Sequence, residues 1–532
     1  MASSDEYECI VRWLSKPQAY ATSSEPHAGQ RRSATVERLE THISQLFLAG
    51  PLVYKLKKRV KYSFLDFSSL EARDQACHAE VRLNRRLAAD WYIGALPITR
   101  GGGGEFEIDG AGQVVDWLVA MRRLPIERTL DALSRRHELR PEHIQQLVAT
   151  LNRFHKSLGA LPIAPQAYIE RYLSNVRGNL SELESAAHGL PPNMVKRDHG
   201  FQLQLLQLVP HLFEQRVLAG KIVEGHGDLR PEHICFTEPI AIFDCVEFNA
   251  DLRCIDIADE IAFLSAECET MGADWVVTML REGYQVQSDD QPPAILFDFY
   301  KSYRACVRAK VVALRADQVQ GEARQAAESE SRRHLEIADK AIEPWLQPLV
   351  VSIGGAAGTG KTTLAIALAV ALGATLLRTD VIRREIFGAA AHAELPDEGI
   401  YGEAARSRVY AEMFKRAQIL HAENLSVVLD GTFATVKSIR DAEAVCHQPQ
   451  AAFLAIECSC RPEVAHARIG QRLAAGQDAS EARPGIHELQ RMRWERWPHE
   501  LPQIQINTEQ SVDQQLNQVL KKLSTHLHPL LF

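Results

Sequence analysis

Gly355-Ala356-Ala357-Gly358-Thr359-Gly360-Lys361-Thr362 restricts the possible folds more than any other segment. It follows an apolar run, Leu349-Val350-Val351-Ser352-Ile353, and precedes a second one, Leu364 to Leu377. Read as strand, glycine-rich turn and helix, this order predicts an α/β domain with a parallel sheet, whose first strand enters a helix through a phosphate-cradling loop. Glycines let backbone N–H groups face the phosphates, and the helix N-terminus adds partial positive charge. Gly355, Gly358, Thr359, Gly360, Lys361, Thr362 and Thr363 are the expected nucleotide-binding residues. Lys361 reaches the β/γ-phosphates and the Thr362 hydroxyl ligates Mg²⁺. The second apolar run is shorter than the roughly 20 residues of a membrane span, so it reads as the buried helix behind the loop.

The metal side of such a site needs a carboxylate at the end of a buried strand, and Ser426-Val427-Val428-Leu429-Asp430 supplies Asp430. Leu376-Leu377-Arg378-Thr379-Asp380 reads as the second strand, ending on Asp380 before a helix from Val381 to Phe387. There Asp380 is placed either to accept an acceptor hydroxyl's proton or to cap the helix. Arg468 and Arg472 lie one helical turn apart and share a face. This region resembles the small P-loop kinases, among them gluconate kinase, chloramphenicol phosphotransferase, zeta toxins and the kinase domain of polynucleotide kinase. The resemblance implies ATP as donor, Asp380 as catalytic carboxylate, and Arg468 and Arg472 as catalytic lid arginines. It leaves the acceptor open.

A second constellation lies upstream. His226-Gly227-Asp228-Leu229-Arg230-Pro231-Glu232-His233 is followed by Ile242-Phe243-Asp244 at the end of an apolar strand. This resembles the catalytic loop and metal-binding Asp of aminoglycoside phosphotransferases and choline-kinase-like enzymes. The resemblance implies an α+β, two-lobed kinase-like domain, with Asp228 as catalytic base and Asp244 as metal ligand. His233 occupies the position of that family's Asn. An imidazole there either ligates a metal or donates a hydrogen bond to Asp228 or a phosphate; as a ligand it suits Mn²⁺ and other transition ions better than Mg²⁺, which adds Mn²⁺ to the expected cofactors. Lys55, on a strand from Leu52 to Lys57, resembles the lysine that grips the α/β-phosphates, with Lys57 on the same strand face as the alternative. Glu80, on a helix from Ser69 to Leu87, resembles its glutamate partner, and Met121 begins the expected hinge beside adenine. Asp256 resembles the buried Asp that braces the catalytic loop. Gly101–Gly104 reads as a hairpin tip. The order of the two regions is similar to bacterial fusions of an aminoglycoside-phosphotransferase-like domain with a P-loop kinase.

At 532 residues the chain exceeds one core, and the prolines around Trp345 place the expected boundary between a domain at 1–343 and one at 349–532. A net charge of −8 disfavours nucleic acid as a partner and leaves a small-molecule acceptor. The acidic start lacks an apolar signal segment, and the ten cysteines are scattered, so cytoplasm, reduced thiols and no membrane are expected. Oligomeric state is not legible. Besides a bifunctional phosphotransferase, two readings stay open: an N-terminal pseudokinase that regulates the P-loop enzyme, and a C-terminal kinase of nucleic-acid ends or of toxin type.

Overall fold

Period-2 alternation gives the strand Leu52–Lys57 two unlike faces. Tyr54 and Leu56 join Phe47 and Leu118 against Ile10, Val11 and Leu14 of the helix Ala2–Leu14. Val53 joins Met121 against Cys77, Val81 and Ala88 of the helix Leu70–Ala88. Lys55 and Lys57 share the face of Val53 and so point toward that second helix. Ser69 caps it, its side chain accepting the N–H of Ala72 at 3.1 Å.

The computed structural model describes residues 2–20, 35–62, 65–185, 189–388, 402–446, 452–475 and 484–531. By compactness the chain divides into two units: Met1–Ile163 with Arg216–Pro293, and Ala164–Gln215 with Ala294–Phe532. The first holds an antiparallel six-stranded sheet in the order Glu37–Glu40, Ser44–Ala49, Leu52–Lys57, Gln113–Arg122, Tyr92–Arg100 and Phe106–Ile108. Gly101–Gly104 forms the hairpin tip between the last two, with Gly104 at φ 90°. The edge strand Glu37–Glu40 is fully exposed and lacks the apolar pattern that would reveal it in sequence. The unit also contains the helices Pro141–Ser157 and Ile257–Thr270 and the short hairpin Ile234–Cys235 with Ala241–Ile242.

The second unit contains the parallel sheet, in the order Thr375–Arg378, Val427–Asp430, Leu349–Gly354, Ala452–Ser459 and Gln503–Asn507. Val350, Val427, Leu429 and Phe453 form its core with Val409, Met413 and Trp497. The apolar run after the loop divides into the helix Lys361–Leu372 and the strand Thr375–Arg378. The helix is buried on one side only, since Ile366 and Val370 are 46% and 59% exposed. Gly373 ends it at φ 60°. A Cβ added there would lie 2.8 Å from the Cα of Gly200, in the helix Pro192–Leu208. From that same helix, Gln204 Nε2 donates to the carbonyl of Leu372 and to Ser426 Oγ, both at 3.1 Å. The expected boundary at 343–349 coincides with the end of the helix Glu322–Ile342 and the start of the strand Leu349–Gly354. Compactness nevertheless groups helices from upstream of it with the P-loop sheet. Among the described residues no helix is long and apolar enough to cross a membrane.

Candidate active sites

The strand Leu349–Gly354 delivers the glycine loop to the N-terminus of the helix Lys361–Leu372. Gly358 and Gly360 adopt φ of 79° and 80°, which L side chains rarely take. A Cβ at Gly358 would also meet the carbonyl of Ala465 at 2.6 Å. Lys361 Nζ lies 3.4 Å from the carbonyl of Ala356, and Thr363 follows Thr362 in the first helical turn. Thr362 Oγ1 donates to Asp430 Oδ2 at 2.8 Å, uniting the two residues expected at the metal. Asp430 Oδ1 is buried without a hydrogen-bond partner among the described residues. Burial pushes this carboxyl above its usual range, and Asp380 adds to the shift, while Lys361 and Thr362 oppose it. A hydroxyl beside a carboxylate oxygen with spare acceptor capacity fits a hard cation such as Mg²⁺.

Asp380 sits inside the helix Thr379–Phe387 rather than at a strand end, and the N-cap position belongs to Arg378. The helix starts early because Thr379 is already helical, its hydroxyl donating to the carbonyl of Asp430 at 3.2 Å. Asp380 instead accepts from Arg383 Nη1 at 2.6 Å. Arg468 and Arg472 lie on the helix Pro462–Ala475. Arg468 flanks Gly360 and donates to Thr508, at 3.2 Å to Oγ1 and 2.7 Å to the carbonyl. Arg472 is partly buried.

In the first unit, Lys55 Nζ bonds Glu80 Oε1 at 2.9 Å and Asp244 Oδ1 at 2.8 Å. Residues far apart in sequence thus meet on one ammonium. Desolvation would raise the Asp244 carboxyl, but Lys55, His233 and Lys57 together outweigh it and hold the group well below the usual range. Asp244 also has φ 61°, a left-handed backbone that a non-glycine residue keeps only where its surroundings enforce it. Asp228 is 32% exposed at the side chain. Its carbonyl accepts from His233 Nδ1 at 2.9 Å. Because a carbonyl can only accept, a ring proton sits on Nδ1, and the other ring nitrogen, Nε2, lies 3.6 Å from Asp244 Oδ2. A metal-binding imidazole commonly donates its other N–H to a backbone carbonyl in this way. Met121 is buried in the apolar cluster with Val53, Tyr92 and Val119.

Several contacts were not evident in the sequence. The His226–Gly227 segment is braced by Glu260, not by Asp256. Glu260 Oε1 accepts the N–H groups of His226 and Gly227 at 2.6 and 2.9 Å, and Oε2 meets His155 at 2.8 Å. Burial opposes its charge, but His155 and these N–H donors bring it down to about 2. Asp256 caps the helix Ile257–Thr270 and pairs with Arg216 at 2.7 Å. Glu260 carries a recognisable signal, a carboxylate on a helix otherwise buried nearly throughout. Arg378 reaches Asp430 at 3.3 Å. Gln490 accepts the N–H of Ala357 and His487 donates to its carbonyl, both at 2.7 Å. No residue pattern announces these last contacts, because they depend on how the helix Pro484–Met492 meets the loop.

Comparison with known proteins bears on both sites. A family model described as "Phosphotransferase enzyme family" matches residues 50–291, and one described as "AAA domain" matches residues 350–497. An uncharacterized protein of Mycobacterium tuberculosis is 32% identical over 462 residues, 83% of this chain and 87% of its own. Among solved structures, choline kinase from Cryptosporidium parvum Iowa II is 11% identical, with a TM-score of 0.38 over 63% of this chain and 97% of that one. A gluconokinase from Sinorhizobium meliloti 1021 is 17% identical, with a TM-score of 0.26 over 35% of this chain and 96% of that one.

Proposed function

Because this chain belongs to one family with the mycobacterial protein, joining a phosphotransferase domain to a P-loop AAA domain of kinase type, we propose that it is a bifunctional enzyme with two ATP sites, each passing the γ-phosphate to a hydroxyl of a small molecule. The observation that carries this reading is the meeting of Glu80 and Asp244 on Lys55 in one unit, together with the Thr362–Asp430 bond within the other. We keep 1–343 and 349–532 as the domain limits.

In the N-terminal site Lys55 holds the phosphates, Glu80 holds Lys55, and Met121 lies beside adenine. Asp228 orients the acceptor hydroxyl and takes its proton, and His233 with Asp244 holds the metal. In the C-terminal site the loop amides and Lys361 bind the phosphates. Thr362 and Asp430 hold Mg²⁺, and Asp380 takes the acceptor proton. Arg468 and Arg472 place positive charge against the transferring group, Arg468 from its position beside Gly360. When bound, the metal neutralises charge on the phosphate oxygens. The free cysteines, six of them buried, support a cytoplasmic setting.

The test is transfer from γ-labelled ATP by the full-length protein to a library of hydroxyl-bearing metabolites. Lys361→Ala should remove most transfer to one acceptor, a loss of about 3 kcal/mol or more in transition-state stabilisation. Asp228→Asn should lower transfer to another by roughly 10²–10⁴ while leaving ATP binding intact. Labelling that survives both changes would refute the reading. Loss of all transfer through Lys361→Ala alone would favour the second reading, in which the His233 site senses nucleotide without transferring phosphate.

A further inference from the structure

Lys57 is the residue that the proposed N-terminal site leaves unused. It lies two residues beyond Lys55 on the same face of the strand Leu52–Lys57, and its side chain is fully buried. Water therefore cannot solvate its ammonium, and its neighbours must balance it. Two carboxylates do so. Lys57 Nζ pairs with Glu80 Oε2 and with Glu247, and its charge lies 5.2 Å from the centre of the Phe67 ring. Glu80 has no solvent exposure, and each of its oxygens takes a different lysine, Oε1 from Lys55 and Oε2 from Lys57. The five groups thus form one chain of alternating charge: Asp244, Lys55, Glu80, Lys57, Glu247. Both ends lie on one short segment, because Glu247 follows Asp244 by three residues.

This arrangement separates the duties of the two lysines. A carboxylate held by one lysine can rotate, and it neutralises most of that lysine's charge. With Lys57 on the second oxygen, Glu80 is fixed in orientation and carries a second counter-charge. More of the Lys55 charge then remains for a phosphate, and Lys55 is the more accessible of the two, 10% exposed at the side chain against 0% for Lys57. Glu247 anchors Lys57 from the far side and ties the pair to the segment bearing Asp244. At Glu80 the direction of protonation agrees. Burial would raise Glu80, but Lys55 and Lys57 together keep it below its usual range. At Glu247 burial outweighs Lys57, so its carboxyl is raised.

We propose that Lys57 and Glu247 are a positioning pair for the N-terminal ATP site: they fix Glu80 so that Lys55, and not Lys57, meets the nucleotide phosphates. The inference rests on reading that site as an ATP site, and the experiment separates the two claims. The probe is ATP acylated on its terminal phosphate, which transfers its acyl group to a lysine amine beside the phosphates. The labelled lysine is identified by peptide mass spectrometry on the full-length protein. Free ATP competes, and Lys361 in the same chain reports whether the P-loop site is intact.

Lys55 should be labelled and protected by ATP, while Lys57 is not labelled. Lys57→Met should raise the ATP concentration that half-protects Lys55 by about ten-fold, with Lys361 protection unmoved. Lys57→Arg should recover most of the loss. Glu247→Ala should shift half-protection by about three-fold, and it decides the matter if Lys57→Met does not fold. Half-protection of Lys55 within two-fold of wild type in a folded Lys57→Met or Glu247→Ala protein overturns the pair, as does ATP-protected labelling of Lys57. Absence of any ATP-protected labelling at Lys55 in the wild type overturns the site itself.

Discussion

At the scale of single residues, His233 carries the sharpest chemical consequence. With Nδ1–H donated to the Asp228 carbonyl, Nε2 is a nitrogen donor directed towards Asp244. Nitrogen favours Mn²⁺ and later transition ions over Mg²⁺. In the full-length protein carrying Lys361→Ala, transfer at the N-terminal site should run at least as well with Mn²⁺ as with Mg²⁺. His233→Asn should shift the preference towards Mg²⁺. Identical metal profiles for the two proteins would exclude a ligand role. Lys361, Thr362 and Asp430 were legible because their chemistry dictates type and spacing, and Lys55, Glu80 and Asp244 through the resemblance to the kinase-like enzymes. Glu247, Glu260 and Gln490 were not, because each acts through a partner brought near only by folding.

The strand-to-helix elements around the P-loop show a cost of function. Asp430 ends a buried strand, and desolvation raises its carboxyl. A raised carboxyl contributes its full stability below the unfolded value of 3.8 and loses it as pH climbs through the folded value. At pH 7.5, without nucleotide or metal, Asp430→Asn should therefore melt a few degrees above wild type. The gap should close towards pH 4, and transfer at this site should be lost at every pH. Calorimetry across that range checks the sign, and an Asn variant that melts lower at pH 7.5 contradicts it. Elements with strong periodicity were readable: Leu52–Lys57, the helix after Ser69, and the strand ahead of the glycine loop. Asp380 was misplaced by two residues of helix, because the stop of the strand Thr375–Arg378 is set by the Thr379 bond to the neighbouring strand and not by local pattern.

For the whole molecule, compactness unites helices from 164–215 and 294–342 with the parallel sheet. A fragment of residues 349–532 loses the helix Pro192–Leu208 and with it the Gln204 bonds to Leu372 and Ser426. It should melt below the full-length protein and bind an apolar dye, whereas a fragment retaining those helices should not. Equal melting temperatures would show that the sheet needs no such support. Sequence could not reveal this, since a loop of two prolines reads as a boundary whatever packs across it. Gly373 and Gly200 add a consequence for descent and engineering. Their backbones meet so closely that a side chain at Gly373 would force a displacement, its Cβ only 2.8 Å from the Cα of Gly200. A donor P-loop kinase spliced in at residue 349 would arrive with whatever residue ends its own first helix. Unless that residue is glycine, the graft would be forced off its seat. The missing Cβ at Gly373 thus sets a condition on any graft made at residue 349.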